Sequence, residues 1–82
     1  MDQTQKLIKR GLLEEKRDRL EQLRIKGERL IKDINYNLFP IEDEGLTGIK
    51  IEHAAQAMEE LRQVVHEARD LTTYIKRGVR EL

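Results

Sequence analysis

The residues best equipped for chemistry are two histidines and a scatter of carboxylates. His53 and His66 stand 13 positions apart, so on a helix they are neither i,i+3 nor i,i+4 neighbours and do not chelate one metal between them. Gln63 precedes His66 by three, where a helical di-metal bundle places a glutamate. The chain has no serine and no cysteine, which removes the commonest nucleophiles and any triad built on them. Gly11, Gly27, Gly45, Gly48 and Gly78 are dispersed, so no glycine-rich loop aims backbone N–H groups at a phosphate. Glu52, Glu59, Glu60 and Glu67 fall on outer positions of a helical pattern, where water screens a carboxylate and leaves it unsuited to acid–base catalysis. These observations point to no catalytic, metal or cofactor site, and the expectation is a non-enzymatic protein.

The elements that would carry any site are easier to read. The chain has 82 residues, no formal net charge, 38% hydrophobic and 39% charged residues, and only 4% aromatics. That balance suits long amphipathic helices better than a thick globular core. Apolar stretches are pairs and triplets, too short to span a membrane, and no secretory signal opens the chain, so a cytoplasmic location is expected. Punctuation is confined to residues 38–48, where Pro40, Gly45 and Gly48 interrupt an otherwise helix-permissive sequence. The expected all-α fold is an antiparallel two-helix hairpin in one domain, 1–82, with helix 1 over about 3–37, a connection over 38–47 and helix 2 over about 48–80. Asn37 is a candidate end cap for helix 1. Thr47 is the expected N-cap of helix 2, with Leu46 and Ile51 spaced to close a hydrophobic staple.

Helix 2 carries the clearer pattern. Ile51, Ala54, Met58, Leu61, Val65, Ala68, Thr72, Ile75, Val79 and Leu82 alternate steps of three and four, and Ala57, Val64 and Leu71 widen that seam. In helix 1, Leu13, Leu20, Leu23, Leu30 and Ile34 keep the heptad while Lys16 and Gly27 occupy seam positions; Leu7, Ile8 and Leu12 fall out of phase. Folding back near residue 43 sets Gly27 opposite Met58, where a missing side chain accepts a long flexible one or is only a weak point. A lone hairpin without cysteines has few means of stabilising a single seam. The expected remedy is a dimeric four-helix bundle, with Leu20, Leu23, Leu30, Ile34, Met58, Leu61, Val64, Val65, Leu71 and Ile75 as the self-association seam.

Charge and the turn carry the remaining functional signals. The first 37 residues hold ten Lys/Arg against seven Asp/Glu, the connection holds Glu42, Asp43 and Glu44, and residues 48–82 balance at six and six. The hairpin is therefore basic at its open end, where Lys6, Lys9 and Arg10 meet Lys76, Arg77 and Arg80, and acidic at its turn. Two antiparallel hairpins could set a basic end beside an acidic tip; alternatively the six cations contact nucleic-acid phosphates. Leu38, Phe39, Ile41 and Leu46 surround the acidic run with apolar surface, expected to fold inward as a plug and otherwise to dock a protein partner. Glu28–Lys32, Glu21–Arg24 and Glu59–Arg62 are the expected intrahelical ion pairs. His66-Glu-Ala-Arg-Asp-Leu71 resembles the phospho-acceptor box of histidine-kinase dimerisation domains over six residues, but it sits on the second helix and Leu71 and Thr72 stand where a proline usually follows. The reading reached is a helical assembly module acting through self-association and partner docking, with RNA or DNA binding as the alternative.

Overall fold

The computed structural model describes residues 2–39 and 44–81. It is a helical hairpin: α1 spans Asp2–Leu38, a short 3-10 turn spans Gly45–Gly48, and α2 spans Ile51–Glu81. With dimensions of 68 × 15 × 14 Å, its radius of gyration is 18.9 Å, against about 12 Å for a compact globule of this length. No helix among the described residues is long and apolar enough to cross a membrane.

α1 ends where its backbone runs out of donors. The Phe39 amide still donates to the Asn35 carbonyl at 3.0 Å, but the next residue, proline, has no N–H to donate. Asn37 lies inside the last turn, its side-chain amide donating back to the Asp33 carbonyl at 2.8 Å. Its own carbonyl accepts the Lys50 amide at 2.9 Å and so fastens the start of α2 to the end of α1.

That fastening moves the start of α2. The helix opens at Ile51 instead of 48, and its first turn closes from the Ala54 amide onto the Lys50 carbonyl at 3.1 Å. Thr47 does not cap it: the hydroxyl donates backward to the Glu44 carbonyl at 2.6 Å within the 3-10 turn, and Ile49 is extended. Gly45 supplies the one positive φ among the described residues, +57°, which favours glycine. Leu46 and Ile51 are both largely exposed, so no staple closes.

The two helices meet along a seam of leucines on α1 and small residues on α2. Leu23, Leu30, Val64 and Leu71 form the buried cluster, with Leu20, Ala57, Leu61 and Ala68 packed against it. Leu13 and Ala54 are also buried. Near the open end, Leu13 fills the space left by Gly78, where an added Cβ would lie 2.5 Å from Leu13 Cδ2. The α1 heptad is thus the expected one, but α2 is rotated by one stripe: Ala54, Leu61, Ala68 and Ile75 pair with Ala57, Val64, Leu71 and Gly78. The physical reason is close approach. Alanine and glycine on that arc let α1 leucines reach the α2 backbone, whereas the stripe of Ile51, Met58, Val65 and Val79 would hold the helices apart.

Gly27 faces Leu61 and Val64 and not Met58, which is 55% exposed. A Cβ at Gly27 would sit 3.7 Å from both neighbours, ordinary van der Waals contact. Gly27→Ala is therefore expected to stabilise the hairpin by about 1 kcal/mol through helix propensity, raising the thermal midpoint by about 4–8 °C in a circular-dichroism melt. An unchanged or lowered midpoint would show that the glycine serves a closer contact.

One ion pair among the described residues joins the two helices, Arg19 Nε to Glu67 Oε2 at 2.7 Å. The Arg19 hydrogen bond, reinforced by the charges of Arg19, Lys26 and Lys16, holds the Glu67 carboxyl below its ordinary value of 4.5. A carboxyl with a depressed folded-state pKa adds stability above its unfolded value and loses it as pH falls through the folded value. Acidification from about pH 5 downward should therefore lower the melting midpoint of the native chain more steeply than that of Glu67→Gln. Equal slopes would assign the acid sensitivity to other carboxylates.

Candidate functional site: an open groove along the hairpin

A hairpin of two helices has two long faces, and here they differ. One is bridged by Arg19–Glu67 and by Lys16, whose ammonium stands 5.6 Å from the centroid of the Tyr74 ring. The other is an apolar groove with two contiguous depressions of about 470 and 510 Å³ that share Ile31, Leu61 and Val65. Leu20 and Ala68 extend its floor toward the open end, and Ile34 and Met58 toward the turn.

The groove's origin is the unused stripe of α2. Ile51, Met58, Val65 and Val79 recur at seven-residue steps or multiples of seven, and each is exposed in the hairpin. On α1, Ile31 supplies the facing apolar surface and is likewise exposed. Of the ten residues expected to form the seam, Leu23, Leu30, Val64 and Leu71 are buried between the helices, and Leu20, Ile34, Leu61 and Ile75 are half-buried. Met58 and Val65 stand on the groove's open side.

Charged residues form the rims. On the α1 rim Arg24 pairs with both Glu21 and Glu28, so Glu28 joins Arg24 and not the expected Lys32. On the α2 rim stand Arg62, His66 and Arg69, with Arg62 paired to Glu59 at 3.0 Å. Arg24 holds the Glu21 carboxyl below its ordinary range, chiefly through the hydrogen bond it donates. His66, expected to be a plain solvated histidine, is exposed at the groove's edge; the signal for this is its position one residue after Val65. His53 is exposed as well. Among the described residues no three His, Cys, Asp or Glu side chains come together as a metal site.

The basic open end is assembled only in part. Lys9 and Arg77 line one depression of about 270 Å³ with Leu13, Tyr74 and Gly78, while Lys6 and Arg10 flank a second of about 320 Å³ on α1. Lys76 and Arg80 are exposed and line neither. At the other end, among the described residues of the turn, Phe39 is 75% and Leu46 86% exposed in the single hairpin, while Leu38 is half-buried. Ile41 lies outside the described residues. The expected plug belongs to the end of a four-helix bundle, and a single pair of helices has no such end to cover.

The chain matches no family model, no curated protein and no solved structure at a significant level.

Proposed function

We propose that the chain is a non-enzymatic assembly module, a helical hairpin that completes its core by closing the groove against a second copy. The observation that carries this reading is the exposed heptad stripe Ile51, Met58, Val65 and Val79, which the hairpin itself does not use. Its accessible surface supports the same reading. The hairpin exposes 7110 Å², against about 5,100 Å² for a compact monomer of 9.7 kDa. The surplus of about 2,000 Å² exceeds the roughly 800 Å² that each partner contributes to a stable interface. Light scattering behind size exclusion, at about 0.05 M and about 0.5 M salt, tests it, because salt screens exposed charge and leaves apolar burial intact. The expected mass is twice 9.7 kDa in both buffers; a mass of 9.7 kDa throughout would overturn self-association and leave the groove for a helix of another protein.

A second reading is favoured by one arrangement, the depression where Lys9 and Arg77 flank Tyr74. Two cations beside an aromatic ring suit a nucleic-acid strand, with phosphates on the cations and a base on the ring. Lys9→Glu combined with Arg77→Glu is then expected to abolish an RNA or DNA mobility shift that weakens steeply with salt, while helicity and mass stay unchanged. No shift with the native chain would remove this reading.

A further inference from the structure

The groove's two rims carry opposite charge in matching rows. Glu21 and Glu28 line it on α1, and Glu14 continues them one heptad toward the N-terminus. Arg62 and Arg69 line it on α2, and Lys76 continues them one heptad toward the C-terminus. Within the hairpin, level positions have numbers that add to about 90: Leu13 meets Gly78, Lys16 meets Tyr74, and Gly27 lies between Leu61 and Val64. The rows keep that register, Glu14 level with Lys76, Glu21 with Arg69 and Glu28 with Arg62. They lie on opposite rims, and the ion pairs found on these rims are local: Glu21 and Glu28 with Arg24, and Arg62 with Glu59.

We infer that the second copy docks groove to groove about a two-fold axis parallel to the hairpin's long axis, so that both turns lie at the same end. This rests on the self-association proposed above and specifies its geometry. Rotation about that axis preserves height and sets α1 of one copy over α2 of the other. Each acid then meets the level cation of the second copy: Glu28 with Arg62, Glu21 with Arg69, Glu14 with Lys76, and the same three on the other edge. The exposed Ile31 then stands over Met58 in the same register, and the half-buried Leu38 over Ile51. Arg24 lays its aliphatic stem over Val65 and keeps its charge at the rim beside Glu21 and Glu28.

The other face-to-face dimer, with turns at opposite ends, sets α2 against α2. Arg62, Arg69 and Lys76 of both copies would then crowd one edge, and the glutamate rows the other. That arrangement does satisfy the end-to-end polarity, with a basic open end beside an acidic turn. The rims decide between the two, because they are in contact, whereas the end charges act across distances comparable with the screening length of about 8–10 Å.

The absence of native cysteines allows a direct test. Glu44→Cys places one spin label on each turn. In the dimer inferred here the labels lie within about 30 Å, a few helix–helix spacings; with turns at opposite ends they would lie nearly the 68 Å length of the molecule apart. A mass of twice 9.7 kDa with a long label distance overturns the orientation and keeps self-association, whereas a mass of 9.7 kDa overturns self-association itself. A rim exchange gives a second readout. Arg62→Glu/Arg69→Glu/Lys76→Glu makes both rims acidic and is expected to weaken dimerisation roughly 100-fold at low salt, with helicity retained. Mixing it with Glu14→Lys/Glu21→Lys/Glu28→Lys restores a dimer in the inferred geometry. In the opposite geometry the acidic variant alone exchanges one like-charged edge for another and dimerises as the native chain does, which would overturn the proposal.

Discussion

Leu23→Ala is expected to unfold the hairpin at room temperature. Leu23 is 3% exposed and sits in a buried cluster with Leu30, Val64 and Leu71. Removing a buried leucine side chain costs about 2–5 kcal/mol, the lost transfer energy plus the cavity left behind. A chain of this length has a total stability of about 4–12 kcal/mol, and one with six buried apolar residues among those described belongs at the low end. The neighbouring seam has few side chains to move into the gap, since Ala57 and Ala68 are already small. Ile25→Ala is the control: Ile25 is exposed on α1, and its loss should cost no more than about 0.5 kcal/mol. Far-UV circular dichroism at 25 °C reads both. Loss of most helical signal in the first variant and none in the second is expected; native-like helicity in Leu23→Ala would mean that the core lies elsewhere.

Met58→Glu combined with Val65→Glu should have the second-largest effect, on association and not on folding. Both side chains are exposed in the hairpin, so the folded single chain loses little packing. Each new carboxylate also lies four residues before an arginine, Arg62 or Arg69, the orientation in which an i,i+4 pair supports a helix. In a closed bundle the same carboxylates would be stripped of water at the interface, at several kcal/mol each. The expected result is a 9.7 kDa species with full helicity, against the twofold mass proposed for the native chain. A dimer that survives both substitutions would place the interface on another surface.

Much of this was legible from residue types and spacing. Pro40 with Gly45 and Gly48 announces the single break, and Leu13, Leu20, Leu23, Leu30 and Ile34 announce the face of α1 that packs. The local pairs Glu21–Arg24 and Glu59–Arg62 follow from helical spacing alone. The start of α2 was not legible, because a threonine before a helical pattern is a capping signal wherever it occurs. Only the Asn37 carbonyl, delivered by α1, selects Lys50 as the residue that opens the helix. The position of Gly27 opposite Leu61 and Val64 was hidden for a related reason: the register between helices depends on the connection's path, which composition does not specify.

The candidate site shows the same division. The α2 sequence determines an apolar arc two stripes wide, because three- and four-residue steps recur from Ile51 onward with Ala57, Val64 and Leu71 beside them. Which stripe α1 covers is a tertiary decision. Packing rewards the closest approach of two helices, so α1 settles over the alanines and Gly78 and leaves Met58 and Val65 uncovered. Once that choice is made, Glu21 and Glu28 become one rim of a groove and Arg62 and Arg69 the other. In the linear sequence they are only charges on solvated helix faces, because a rim exists only relative to the neighbour that defines it.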